Sequence, residues 1–595
     1  MSTTGSDVPL TSGTMPRILR LVVALYIASY AVTAVPASAQ EFADTIYHGG
    51  DIVTMESAEP RYAGALAVRN GTILFAGSLA EAARLRGPRT RDVDLKGKTL
   101  LPGFIDGHGH AWGSGLQRHA ANLLPPPDGQ GTNIPALVAI LKRWATTHAT
   151  AMSKVGWIVG FGYDDAQLAE KRHPTAHDLD AVSTEVPVLL LHQSGHLAAV
   201  NHKALESAGI TTESQNPSGG IIRREADGRT PNGVLEETAS QAVLFSGILG
   251  RLDREASDAI ARAGVDAYIE FGFTTAQEGL ATEAMVQSWR RIAQDGRLPI
   301  DVAAYVTIPA ALDFMQEHGT SRTYTDHFRI AGVKLTLDGS PQGKTAWLTK
   351  PYKVPPPNAP DDYRGYPTIP DEADVQHLVN IAFQHNWQLL AHCNGDAASD
   401  QLITTVSQAA GLRGNHDRRT VMIHAQTVRE DQLDRMNELG IIPSFFTMHT
   451  FYWGDWHRDE TLGRERAYRI SPAASALRRN MKFTTHHDAP VALPSSIMVL
   501  HTTVNRTSRS GDLIGKDQRI SAYTALKSIT DWAAYQYFEE DRKGTLAAGK
   551  LADLVILDKN PLKVNPERIK DIRVMETIKE GKSIYRHGTV QPAGP

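Results

Sequence analysis

The sequence predicts an α/β protein: a (β/α)₈ barrel, a small composite β-sandwich built from both chain ends, and a subdomain inserted after the first barrel strand. Three observations predict it. Short apolar runs alternate with amphipathic stretches through the middle of the chain, the pattern of βα units. Both ends read as short strands punctuated by turns. Between the first two candidate barrel strands lies a stretch, about 122–262, too long for an ordinary βα loop.

Taken in order, the chain opens on a targeting segment. Arg17 and Arg20 precede the apolar run 21–35, and Ala37-Ser38-Ala39 forms a small-residue cleavage signal before Gln40. The run is interrupted by Ser29 and Tyr30 and falls short of the ~20 apolar residues of a membrane-spanning helix. Residues 1–39 are therefore expected to be a signal peptide removed on export, leaving no stable membrane anchor. Cys393 is the single cysteine, so no intramolecular disulfide can form. Stability without disulfides fits a periplasm better than a harsher extracellular setting.

Residues 44–99 carry alternating runs at 65–68 and 72–75 around Asn70-Gly71, a hairpin signature. The style returns at 551–557 and 583–585, with turns at Lys559-Asn560-Pro561 and Glu580-Gly581. Residues 40–100 and 540–595 are expected to pair into the sandwich. Residues 101–539 hold the barrel, with strands expected near 100–106, 273–276, 300–305, 332–337, 388–391, 421–423, 441–445 and 482–485. The insertion has strands of its own near 157–160 and 188–191 and is placed over the barrel mouth.

At 595 residues with 42% hydrophobic content, the chain can bury a large core. Sixty-one Lys and Arg against 65 Asp and Glu give a formal charge of -4, which leaves no electrostatic footprint for nucleic acid or an anionic membrane surface. The expected partner is a small-molecule substrate, and homo-oligomerisation is left open.

The chemistry begins at His108-Gly109-His110. Side chains alternate along a strand, so both imidazoles face one side and can bind one metal. An isolated His-x-His is incidental as readily as ligating. His392 and His424 each end an apolar run, where a buried strand meets its loop, the face at which (β/α)₈ active sites lie. The alternative for either is a core histidine satisfied by a backbone carbonyl. Lys334 falls inside the buried run 331–337, where a lone ammonium is costly. Either it pairs with a carboxylate, Asp338 being nearest in sequence, or carbon dioxide converts it to a carbamate able to bridge two metals. Composition alone favours the ion pair. Asp488 ends the eighth strand, where a carboxylate can ligate a metal and accept a proton from bound water, or simply cap the next helix.

Five marks in fixed order resemble the amidohydrolase superfamily, specifically its family-3, YtcJ-like branch, which includes N-substituted formamide deformylase. They are Leu101-Pro102-Gly103-Phe104-Ile105-Asp106, His392 with Gly395-Asp396, His424-Ala425-Gln426, Asp488-Ala489-Pro490-Val491, and Gly544-Thr545-Leu546-Ala547-Ala548-Gly549-Lys550-Leu551-Ala552-Asp553. The resemblance covers nearly everything from Asp44 onward. It implies that His108, His110 and Asp488 hold a more buried metal and His392 and His424 a more exposed one, with Lys334 bridging them as a carbamate. It further implies that a shared hydroxide attacks a substrate carbonyl, while Asp488 takes the proton and passes it to the leaving group. The resemblance implies two such ions per chain; the histidine-rich donor set favours zinc, and manganese or iron would also fit.

Departures from the family pattern, Cys393-Asn394, His487 before Asp488, and Gly107 before His108, bear on the substrate. Asn394 and His487 are expected to aim hydrogen bonds into the pocket, whereas Cys393 is out of phase on its strand and packs into the wall. His196 in the insertion, His449 after the seventh strand, Trp112, Asp338 and Gln426 complete the expected substrate-binding set. The leading function is hydrolysis of a non-peptide C–N bond in an amide, formamide, cyclic amide or N-acyl compound. An esterase or lactonase, and a mononuclear heterocycle deaminase with an unmodified Lys334, are the alternatives on this fold. A non-catalytic binding protein is disfavoured, because no proposed ligand is missing.

Overall fold

The computed structural model describes residues 42–148, 155–414 and 416–588, so the expected signal peptide lies outside the described residues. Eight parallel strands form the central sheet. They are β1 (Phe104–Ile105), β2 (Phe273–Ala281), β3 (Asp301–Thr307), β4 (Phe328–Thr336), β5 (Gln388–Cys393), β6 (Val421–His424), β7 (Ile442–Phe445) and β8 (Thr484–Thr485). They pair in chain order, with helices in the connections. Because helices cover a parallel sheet, its strands read as continuous apolar runs, and β5, β6 and β7 are buried at every position.

The sheet is curled. No ladder joins β8 to β1, but just beyond them the Asp488 N–H donates to His108 O at 3.2 Å and the His110 N–H donates to Ala489 O at 2.7 Å. The first and last loops are thereby tied together at the mouth.

The expected strand 100–106 is two strands in two sheets. Thr99–Pro102 pairs antiparallel with Leu554–Leu557, and the chain changes sheets at Gly103. The Gly103 N–H still donates to Asp553 O, whereas the next N–H, of Phe104, donates to Gly272 O beside β2. The two chain ends thus form one continuous eight-stranded sheet, in place of the two-sheet sandwich expected. Alternation explains its position: Leu100, Leu554 and Ile556 pack into the sheet's own core, while Leu101, Val555 and Leu557 point into the core of the central sheet. The Asn70-Gly71 turn joins Tyr62–Arg69 to Thr72–Gly77 with positive φ at both turn residues, as the two-residue hairpin requires.

A third sheet of six strands, from Ala121–Asn122 to Pro231–Glu237, sits over the mouth. Its Gln193 side chain donates to Val491 O, and the Trp453 indole donates to Asp164 Oδ2. The helix Ala111–His119, which follows His110 directly, crosses the helix Arg254–Ile269 at backbone contact. A Cβ on Gly115 would lie 1.8 Å from Ile260 O, and one on Gly264 would lie 1.9 Å from Ala111 O, so both positions need glycine.

At the opposite end of the central sheet a buried ion network joins the C-terminal segment to the strand starts. Asp301 Oδ2 lies 2.6 Å from both Lys543 Nζ and Lys579 Nζ, and Lys579 also meets Asp553 at 2.8 Å. Lys543 pairs with Glu539 at 2.7 Å, and Glu539 with Arg329 at 3.1 Å. Among the described residues no helix is long and apolar enough to cross a membrane.

Candidate metal centre

Each predicted ligand emerges at the C-terminal end of a central strand: His108 and His110 after β1, Lys334 near the end of β4, His392 and His424 closing β5 and β6, and Asp488 after β8. The fold brings them together. His108 Nε2 and His110 Nε2 lie 3.4 and 3.3 Å from the same Asp488 oxygen, Oδ1, and His424 Nε2 lies 3.9 Å from Oδ2. Lys334 Nζ is 3.1 Å from His108 Nε2. The His392 and His424 rings stand 4.5 Å apart between centroids. His424, Ala425 and Asp488 all hold positive φ, a strain of about 1–3 kcal/mol each that clusters at working sites.

Hydrogen bonds on the far side of each ring fix which nitrogen faces inward. The His108 Nδ1 contact is the amide oxygen of Gln277, at 2.6 Å, and the His392 Nδ1 contact is Asp338 Oδ1, at 3.0 Å. An oxygen acceptor at Nδ1 keeps the proton there, so Nε2 presents a lone pair. His424 Nδ1 meets His486 Nε2 at 3.2 Å, and His486 in turn meets Ser444 Oγ at 2.8 Å. Burial drives His108, His392, His424 and His486 well below the ordinary imidazole value, with neighbouring cationic groups adding to it. Neutral imidazole is the ligating form. Burial also lowers Lys334 to about 8, against the opposing charge of Asp488.

The ion pair of Lys334 with Asp338 does not form. Asp338 is committed to His392 and to the backbone N–H groups of Trp347, Asn394 and Gly395, at 3.1, 3.0 and 2.7 Å. Its role is to hold a ring, which corrects its placing among the substrate contacts. The donor set fits a metal: Asp488 Oδ1 is buried with no hydrogen-bond partner, although two imidazole nitrogens face it.

The expected substrate contacts divide. His196 reaches the centre, its ring 4.9 Å from that of His392. Asn394 reaches it too, with Nδ2 3.3 Å from His392 Nε2. Gln426 is fully buried, its Oε1 accepting from Ser471 and its Nε2 unpartnered. His487 turns the other way, packed between Tyr268 and Phe273 with Nδ1 accepting the Ala489 N–H. His449 stacks on His457 and is separated from His486 by Phe446. The Trp112 indole donates to Ser257 O and lines an outer groove with Phe245 and Met285. His487 and His449 pack within the core, and Trp112 faces that outer groove rather than the centre.

Four residues were missed. His486 was legible: Thr484 points inward to Ser444, so alternation puts His486, not His487, on the inner side. Gln277, one residue beyond the expected second strand, was legible as a polar side chain in a buried run. Asp106 caps the His108 N–H at 3.0 Å, and burial pushes its carboxyl up to about 8. Glu237 in the insertion meets His196 Nδ1 at 2.7 Å, and no local pattern marks it.

A second cluster, Asp165, His173 and His192, lies beside a cavity of about 810 Å³ between the insertion and the loops after β4 and β7. The Ser194 N–H donates to His192 Nδ1, so His192 Nε2 keeps its proton for Asp165, 3.0 Å away. That cluster is a hydrogen-bonded wall, without the inward lone pairs of the centre.

Residues 91–585 match the amidohydrolase family. YtcJ of Bacillus subtilis (strain 168), named as an amidohydrolase, is 25% identical over 91% of this chain and 99% of its own. The N-substituted formamide deformylase of Arthrobacter pascens is 24% identical over 88% and 95%. An uncharacterised metal-dependent hydrolase from Pyrococcus horikoshii OT3 has the same fold, with a TM-score of 0.69 at 24% identity over 88% of this chain and 99% of its own.

Proposed function

Since the chain belongs to the amidohydrolase family, we propose that it is a metal-dependent hydrolase cleaving a non-peptide C–N bond in a small amide, formamide, cyclic amide or N-acyl compound. One observation carries the reading: histidines from β1, β5 and β6 turn Nε2 toward the space around Asp488 and Lys334. His108, His110 and Asp488 would hold one divalent cation, and His392 with His424 a second, with zinc suited to the donors. When bound, such ions supply an acidified water and a Lewis acid for a carbonyl oxygen.

The chain's own residues do the rest. Asp488 receives the water's proton and returns it to the leaving nitrogen. Asp338, Gln277 and His486 hold the imidazoles in register. Lys334, buried and without a carboxylate within ion-pair distance, is suited to carboxylation, which needs an uncharged amine. The relative from Arthrobacter pascens, a deformylase of N-substituted formamides by name, supports a C–N bond as the target.

The test is turnover of matched amide and ester analogues by zinc-loaded protein, with metal counted on the same sample. Amide cleavage with two ions per chain is expected. Ester-only turnover would overturn the C–N assignment, and one ion beside an unmodified Lys334 would overturn the paired centre. Lys334→Ala is expected to lower metal content and activity together; full retention of both would remove Lys334 from the site.

A further inference from the structure

The insertion delivers one unusual pair of side chains to the mouth. His196, in the turn between the strands Val188–His192 and Leu197–Val200, rests its ring against His392. Glu237 closes the strand Pro231–Glu237, its Oε2 2.7 Å from His196 Nδ1, and its backbone N–H donates to His196 O at 2.7 Å. Glu237 therefore grips both the ring and the backbone of His196.

Two features of Glu237 exceed what holding a ring needs. Its backbone adopts φ 48 and ψ -119, a conformation unfavourable for any residue with a Cβ. Its other carboxylate oxygen, Oε1, is fully buried without a hydrogen-bond partner. A buried carboxylate oxygen left without a donor is costly, and a carboxamide or an apolar side chain there would avoid the cost. Oε1 lies over Gly339, where a Cβ would stand only 2.2 Å from it. Gly339 follows Asp338, the residue that orients His392. The same glycine's carbonyl accepts from Asn394 Nδ2, and Asn394 Oδ1 is also buried and unpartnered. Beside a ring of the metal centre, two buried acceptor oxygens thus flank Gly339, and each calls for an N–H.

We propose that Glu237 is a specificity-determining residue whose Oε1 accepts an N–H of the substrate. The inference rests on the amide reading above and narrows it. The favoured substrates carry at least one N–H next to the scissile carbonyl, as in N-monosubstituted amides and formamides. Their N,N-disubstituted counterparts leave Oε1 buried and unpaired. Gly339, lacking a Cβ, lets Oε1 sit against the loop after β4, and His196 fixes the carboxylate's orientation.

The experiment compares kcat/KM of the zinc-loaded protein for an N-monosubstituted amide and its N-methylated form. It is paired with calorimetric binding of a hydrolysis-resistant thioamide with and without its N–H, whose thiocarbonyl is available to the metal in both partners. The wild type is expected to favour the N–H form about 10–100-fold in both assays, the scale of one hydrogen bond to a charged group. Glu237→Ala should erase the preference while metal content stays unchanged. Glu237→Gln should keep much of it, since its amide nitrogen can turn to His196 and leave its oxygen to the substrate. Equal losses on both partners in Glu237→Ala, or an undiminished preference, overturn the role. Wild-type protein that cleaves neither amide overturns the amide reading instead, and the thioamide pair still tests Glu237 by itself.

Discussion

At the start of the central strands, Asp301 is buried between Lys543 and Lys579, and every charge of that network has an opposite charge within 3.1 Å. At the ends of the same strands, Asp488 Oδ1 is buried among histidines and a lysine with no hydrogen bond made to it. Both regions bear the desolvation cost of buried polar groups. At the base the protein settles that cost internally: burial raises Asp301, but the two ammonium groups outweigh it and hold the carboxyl well below its ordinary value. At the mouth burial wins, pushing Asp106 up to about 8 and Asp338 up to about 7. A cluster in which every buried charge meets its opposite is architecture, whereas a buried carboxylate faced by neutral imidazoles is completed by something the chain does not encode.

The sharpest separation of the two regions is expected from Asp488→Asn. It should lower kcat of the zinc-loaded protein about 10²–10⁴-fold, the scale of general acid–base catalysis, with a smaller change in KM and little change in denaturant midpoint. Loss of folding stability matching the loss of activity would make the mouth architectural too. Asp301→Asn should do the reverse. Leaving Lys543 and Lys579 uncompensated should destabilise the fold by about 3–5 kcal/mol in urea unfolding, while activity per folded molecule stays unchanged. His486→Ala should fall between them: His424 loses its orienting partner, and zinc affinity or turnover should drop about 10–100-fold. Calorimetric zinc titration reads this, and unchanged affinity and turnover would make His486 a packing residue.

That contrast also explains what was legible in the sequence. Strands buried on both faces announce themselves as apolar runs, so all eight central strands were found where the structure has them, except that the run 100–106 crosses between two sheets. Its division at Gly103 was hidden because strands in both sheets are apolar there. The residues now seen to converge were visible because each is a polar group at the end of such a run or, for Lys334, inside one. His487 misled because the final strand spans only Thr484–Thr485, and the inward phase passes to its neighbour His486. Asp338 was seen but given the wrong task, since its partner His392 lies on the next strand. Glu237 and the base network were invisible for the same reason. Glu237 and His196 are separated by 41 positions, and Asp301 and Lys579 by 278, so no local pattern joins them.

The finest test uses acid. Asp301 has a folded-state pKa depressed below its ordinary 3.8, so the unfolded chain binds its proton more readily than the native one. The stability this supplies is fully present above about pH 4 and is lost as pH falls toward the depressed value. One such group bends the stability curve by at most about 1.4 kcal/mol per pH unit. Urea unfolding of wild type below pH 4 should therefore show a steeper decline than Asp301→Asn, which has no proton to take up at that position. His486→Ala, at the other end of the strands, should retain the wild-type slope in that window. Parallel slopes in wild type and Asp301→Asn would mean that Lys543 and Lys579 do not hold the carboxylate charged, and the base would lose its standing as the self-sufficient end of the sheet.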